Sequence, residues 1–304
     1  MNNSNAIINI RVMATIFIVF YHCCCPYTVW TYWGGYDPNS MAHDILYWFT
    51  LDFVYDCMLP TFFMLSGMVY FGRKDLYADQ GKAIWKKVDR LLIPFAIMVC
   101  VQVMLGLTDP MGGHLWFVKV LFIYFVVSLL LYKMPEKWLL GLALALYVGY
   151  IVSLRMDYPL PEVAWRSLRY YIYFVLGHYA NVYYSRLHSD VKTKVVMTLI
   201  ALVSLYFNSK VYTQFLYSVA FNAALLCFIS NKPVTNGIIL NLNKNSFAIY
   251  LLHCTIIAFF STTSFVHQLY AGSPLIFIAC MFSIAFGFSW AISEGLHRIG
   301  FKYF

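Results

Sequence analysis

The sequence predicts an all-α membrane protein, a polytopic bundle of about ten transmembrane helices with both termini in the cytoplasm. Three observations predict it. Of 304 residues, 62% are hydrophobic and 11% are charged, with a mean hydropathy of +0.68. A soluble fold of that length has too little interior to hide so much apolar surface. Apolar runs approaching the roughly 20 residues that cross a bilayer recur along the whole chain, separated by short polar breaks. Lysine and arginine gather in alternate breaks, as the positive-inside rule requires of a multi-spanning protein.

Taken in order, the runs and breakers place helices near 7–25, 47–71, 91–107, 115–132, 138–154, 167–184, 194–208, 211–230, 246–261 and 274–294. The seventh and eighth are parted only by the tight turn "NSK" (208–210). With the N-terminus and every second connection on the cytoplasmic side, that side holds fifteen of the 21 lysines and arginines. The opposite side holds four: Arg155, Arg166, Arg169 and Lys210. No internal repeat or long polar linker interrupts the pattern, so one domain is expected over residues 1–304. The first run lacks a small-residue cleavage site and reads as a retained helix, giving an expected multi-pass location in the inner (plasma) membrane. The eight cysteines lie mostly inside apolar runs, where they act as small core hydrophobes rather than a disulfide framework.

Ionisable residues inside spans are candidate functional groups, because leaving one unpaired in lipid costs several kcal/mol. They are Arg11, His22, Asp52, Asp56, Lys119, His178, His253 and Glu294. The stretch "RVMATIFIVFYHCCCPY" (11–27) frames the first span with an arginine and a histidine. Eleven helical steps of about 100° end about 20° beyond three turns, so Arg11 and His22 share a face, roughly 16 Å apart. The adjacent His22-Cys23-Cys24-Cys25 run is a poor metal site, since consecutive helical side chains diverge by about 100°. Taken singly, Arg11 also reads as a snorkelling anchor, and His22 as a helix-end imidazole bonded to a carbonyl.

Asp52 and Asp56 form an i, i+4 pair on the second span, and Lys119 lies on the fourth. They read as a structural ion pair, or as a carboxylate orienting His22 with Lys119 facing developing negative charge. The connection "GRKDLYADQGKAIWKKVDRLLIP" (72–94) turns amphipathic in its second half. That half suits an anionic lipid surface; alternatively Lys87 and Arg90, one turn apart, clamp a phosphate-bearing ligand. On the outer side, Arg166 and Arg169 run against the positive-inside trend. They either pair with Asp157 or Glu162 or hold an anionic ligand.

Several motifs together resemble the acyltransferase 3 family, integral membrane acyltransferases of which many O-acetylate bacterial surface glycans. The arginine, ten residues and histidine of the family's first helix correspond to Arg11 and His22. "LPTFFMLSG" (59–67), "KKVDRLLIP" (86–94), "HLWFV" (114–118), "YFVLG" (173–177) and "NSFAIYLLH" (245–253) follow in family order. The family's Arg-x-x-Arg is here Lys87-x-x-Arg90, which keeps charge but loses one bidentate fork. The acid that many members carry just before Phe-Phe is replaced by Pro60 and Thr61, with Asp56 further back.

The resemblance implies an O-acyltransferase that uses acetyl-CoA, or another acyl-CoA, as co-substrate and needs no metal. Its acceptor would be a hydroxyl of a cell-envelope glycan or lipid-linked sugar. Expected catalytic residues are His22, Asp56, Lys119 and His114; the donor would be held by Arg11, Lys87, Arg90 and His253, and the acceptor by Arg166, Arg169 and Asp52. Membrane lipid and a second copy of the chain are expected partners, nucleic acid is not. Two rival classes fit buried charge in ten spans: a transporter or flippase, and a non-catalytic sensor.

Overall fold

The computed structural model describes residues 4–28, 45–46, 48–72, 79–107, 113–206 and 211–303, and among them helix is the one regular element. Helix α1 is Ser4–Thr28; α2 begins π-helical at Trp48–Met58 and continues as a regular helix over Leu59–Phe71. A π-helical turn, Val88–Leu92, joins α3 (Gln80–Lys87) to α4 (Ile93–Met104). Then come α5 (Trp116–Leu130), α6 (Glu136–Arg155), α7 (Glu162–Ser189), α8 (Val191–Tyr206) and α9 (Val211–Phe228). The chain closes with α10 (Gly237–Phe260), α11 (Ser264–Gly272) and α12 (Pro274–Arg298).

Each predicted position holds a helix. Among the described residues, four stretches are long and apolar enough to cross a membrane: Asn5–Tyr27, Phe53–Phe71, Glu136–Arg155 and Pro274–Arg298. Helices α10 and α11 make a fifth if they count as one span bent by 94°. Helix α5, with 15 residues, rises about 22 Å, short of a hydrocarbon core of about 30 Å. The "NSK" turn, Arg73 and Lys74 lie outside the described residues.

Two helices are longer than hydropathy predicts, for one reason. Helix α7 starts at Glu162, after Pro161, and ends past Arg186 and His188. An acid in the first turn and cations in the last suit the helix dipole, yet an apolar window discounts them. Helix α10 starts nine residues before the predicted 246. Asn236 caps it, its side-chain oxygen accepting from the amides of Ile238 (2.9 Å) and Ile239 (3.3 Å).

The helices gather into two compact units. The first comprises Met1–Ile7, Pro60–Pro94 and Leu115–Lys232. Its core is aromatic. Phe63 of α2 lies against Tyr170 of α7 with ring centres 5.2 Å apart, and Trp116 of α5 is 5.8 Å from the same ring. Below that stack the backbones of α2 and α7 touch. A Cβ on Gly67 would sit 1.8 Å from the Phe174 carbonyl oxygen, and one on Gly177 would sit 2.3 Å from that of Met64. Both motif glycines, the last letters of "LPTFFMLSG" and "YFVLG", are therefore explained by one helix crossing. Thr61 Oγ1 donates to Asn222 Oδ1 at 2.7 Å, and Tyr70 donates to the Ser128 carbonyl at 2.8 Å.

The second unit comprises Ile8–Leu59, Phe95–His114 and Pro233–Phe304. Its helices are held by polar side chains. Glu294 of α12 accepts from Asn241 (3.3 Å) and Asn245 (3.4 Å) of α10 and lies 3.7 Å from Lys244. Ser293 donates to Asn245 at 2.6 Å. Glu294 is thus accounted for as helix-to-helix glue. Tyr27 stacks on Tyr270 at 4.6 Å and donates to its carbonyl at 3.0 Å.

Candidate functional site

Helix α1 meets α10 through side chains at two levels. Toward its start, Arg11 Nη1 donates to Asn243 Oδ1 at 3.2 Å. Eleven residues on, His22 Nδ1 lies 3.0 Å from His253 Nε2. The two helices therefore run parallel here, and the levels are about 16 Å apart along the axis. The shared face expected of Arg11 and His22 is real: both contact α10.

His114 completes a cluster of three imidazoles. Ring centres are 4.8 Å apart for His22 and His253, 5.3 Å for His114 and His253, and 6.3 Å for His22 and His114. Each ring faces one backbone carbonyl: His22 Nδ1 that of Ile18 (2.9 Å), His253 Nδ1 that of Ile249 (3.0 Å), and His114 Nε2 that of Leu251 (3.0 Å). Tyr250, one turn before His253's end of the motif, donates its hydroxyl to the His114 carbonyl and so pins the turn that delivers this ring. Gln102 Nε2 donates to Thr255 Oγ1 at 2.8 Å on the other side of the same segment. His253 is fully buried and His114 nearly so. A buried polar group without a partner costs about 1–3 kcal/mol, so these bonds are what permit the cluster.

His22, His253 and Cys254 bring ligand atoms within 4.8 Å of one another, a grouping the sequence argument about Cys23–Cys25 does not address. His22 Nδ1 and His253 Nδ1 each face a backbone carbonyl, so Nε2 is the nitrogen each ring could offer an ion; in the structure His253 Nε2 is instead 3.0 Å from His22 Nδ1.

Asp56, in the π-helical part of α2, is buried; Lys119, on α5, is half-buried; the side chain of Asp52 lies outside the described residues. Lys87 Nζ sits 3.7 Å above the Phe125 ring, and Arg90 is exposed. Because Val88–Leu92 is π-helical, with more residues per turn, Lys87 and Arg90 are separated by less of a turn than an α-helix would give. Asp79 caps α3 by accepting from the Lys82 amide at 3.1 Å, which holds its carboxyl below the usual carboxylate range, and the Lys82 ammonium is 3.1 Å away. Trp85 is 68% exposed on this short helix, as an interfacial anchor would be.

Arg166 pairs with Glu162 at 2.6 Å, one of the two acids the sequence offers. Its guanidinium also lies 3.9 Å over Trp116, while Nε and Nη1 are buried with no hydrogen-bond partner among the described residues. Arg169 Nη2 reaches Gln214 Oε1 at 3.5 Å. A crevice of about 230 Å³ in the same unit, lined by Met64, Tyr173, Tyr183, Asn222 and Leu226 among others, contains none of the candidate residues. Sequence reasoning missed Asn243, Tyr250, Gln102 and Cys254. Tyr250 and Cys254 flank the motif histidine; Asn243 and Gln102 carry no signal beyond being amides beside apolar runs.

Helices able to cross a membrane, and three imidazoles gathered from α1, α10 and the turn before α5, define a membrane protein with a buried polar centre. The chain matches the acyltransferase 3 model, an acyltransferase domain, over residues 4–294, and it belongs to that family. It is, in class, a membrane acyltransferase. No curated protein and no solved structure matches it.

Proposed function

We propose that the protein moves an acyl group, most readily acetyl, from cytoplasmic acyl-CoA to a hydroxyl of a cell-envelope glycan or lipid-linked sugar, with His22 as general base. In this reading the chain makes about ten crossings of the inner membrane with both termini inside. The observation that carries it is the pairing of α1 with α10 at Arg11 and at His22. Their separation of about 16 Å is of the order of a pantetheine arm, so a thioester at His22 would put the donor's phosphates near Arg11; Lys87 and Arg90 enter the reading as donor-binding cations on their charge alone. The acceptor O–H gives its proton to His22 as its oxygen attacks the thioester carbonyl. The C–S bond then breaks, and the CoA thiolate leaves with the proton that His22 returns. Lys119 and Asp56 would steady the charges that develop, and Arg166 and Arg169 would hold an anionic acceptor.

The test uses protein purified into lipid nanodiscs and offered acetyl-CoA with cell-envelope glycans. Free CoA should appear with glycan and not without it. Absence of CoA release together with absence of acetyl-CoA binding overturns the reading. A transporter or flippase is the second reading, favoured by the 94° break between α10 and α11, since discontinuous helices line solute sites in carriers. Solute movement without acyl chemistry selects it.

A further inference from the structure

We propose that His253 is a positioning residue that fixes the tautomer of His22, holding the proton on His22 Nδ1 so that the bare Nε2 faces the acceptor hydroxyl. The inference rests on the general-base reading and adds to it the reason that one particular nitrogen is the base.

The assignment follows from acceptors. His253 Nδ1 lies 3.0 Å from the Ile249 carbonyl, which can only accept, so the proton of a neutral His253 ring is on Nδ1. His253 Nε2 is then a lone pair, and it points at His22 Nδ1 from 3.0 Å. His22 Nδ1 also faces the Ile18 carbonyl at 2.9 Å. With an acceptor on each side, His22 Nδ1 must carry hydrogen. The opposite tautomer would set one lone pair against two others.

The Ile18 carbonyl alone is a weak lock, because it is four residues back and already serves the helix ladder. The imidazole lone pair is a full acceptor, and it becomes more valuable when the acceptor proton reaches His22 Nε2. The ring is then a cation, and its Nδ1–H bond to His253 is charge-assisted. An aspartate does this for the histidine of serine proteases, where leaving the wrong tautomer costs about 10⁴ in rate. Here the partner is neutral and Ile18 remains, so a loss of about 100-fold is expected. Cys254 Sγ, 3.3 Å from His253 Nε2, competes only weakly, since a thiol is a poor donor.

The experiment compares His253→Gln, whose amide oxygen can take the place of Nε2, with His253→Phe, which removes the acceptor. Turnover should fall about 100-fold in the Phe variant and less than about 10-fold in the Gln variant, with KM for acetyl-CoA unchanged in both. In the full chain labelled with ¹⁵N-histidine, the His22 signals, assigned by their loss in His22→Ala, should show a protonated Nδ1 and a bare Nε2. The Phe variant should shift them toward a mixture. Equal turnover in the two variants, a proton on Nε2 in the wild type, or stoichiometric zinc in the purified protein that His253→Phe removes would each overturn the proposal. A wild type with the expected tautomer but no CoA release would sink the general-base reading and leave the tautomer lock standing.

Discussion

The two units solve the same problem with different materials. Within a bilayer, apolar helices gain little by leaving lipid for each other, so packing precision and polar bonds must hold them together. The first unit uses precision: rings on α2, α5 and α7 fill its centre, and Gly67 and Gly177 let two backbones touch. The second uses bonds: His22, His114, His253, Gln102 and Asn245 are each matched to a partner inside it. Ring packing is indifferent to protonation, whereas a lattice of matched lone pairs can hold a proton at a chosen atom. A change in the first unit should therefore cost the fold, and a change at the right place in the second should cost the chemistry.

His22→Ala tests the second half of that contrast and carries the largest expected effect. Acyl transfer should drop by about 10²–10⁴, the usual contribution of a general base, while acetyl-CoA binding stays near wild type and stability falls by no more than the roughly 1–3 kcal/mol of leaving buried His253 without its partner. Nanodisc turnover assays with a binding isotherm read both quantities. A variant keeping more than about a tenth of the wild-type rate would shift attention to His114, the third ring of the cluster.

Gly67→Ala tests the first half. Its methyl would meet the Phe174 carbonyl at 1.8 Å, and backbone cannot swing aside as a side-chain tip can. The expected loss is about 3 kcal/mol of stability, at the upper end for overpacking, seen as a lower melting temperature and folded yield. Rate per folded molecule should change little. Unaltered melting together with lost turnover would erase the distinction between the units.

Part of this contrast is legible in the sequence. Apolar runs locate the helices, and the eleven-residue spacing puts Arg11 and His22 on one face. Helix ends are less legible: α7 is extended by a first-turn acid and last-turn cations and α10 by the Asn236 cap, local contacts that a hydropathy average does not see. The partners are illegible for a different reason. Nothing along the chain says that His253, 231 residues from His22, will lie 3.0 Å from it, or that Asn243 will take Arg11. Long-range pairing is set by helix packing, and residue spacing constrains only one helix at a time.

Lys87→Ala bears on a site in the first unit that is proposed to bind rather than to hold the fold. The apparent KM for acetyl-CoA should rise about 5-fold with kcat within 2-fold, the mark of lost uniform binding energy, and high salt should mimic it in the wild type. The side chain also lies over Phe125, a contact worth about 0.5–1 kcal/mol where exposed. Phe125→Leu separates the two, since it removes the ring contact and leaves the Lys87 charge in place. Insensitivity of KM to Lys87, Arg90 and salt would place the donor's phosphates elsewhere, with Arg11 next.

The smallest effect is expected at Asp79, which joins the fold of the first unit to that same proposed donor site. Its carboxylate caps α3 through the Lys82 amide, and that helix carries Lys86 and Lys87 in its last turn. The bond favours the charged form, so the folded carboxyl titrates below its unfolded value. The cap is therefore fully present at neutral pH and above the unfolded carboxylate range, and it is lost as pH falls through the lowered folded value. At neutral pH, Asp79→Ala should fray α3 without altering the global melt, as amide exchange at Lys82 and Ala83 would read. It should raise KM for acetyl-CoA by less than Lys87→Ala does. Acidification should bring wild type and variant together, with Asp79→Asn between them because its amide oxygen can still accept. A gap that stays constant from neutral to acid pH would mean that the charge on Asp79 plays no part, and that α3 is held by Gln80, whose amide donates to the Leu129 carbonyl at 2.9 Å.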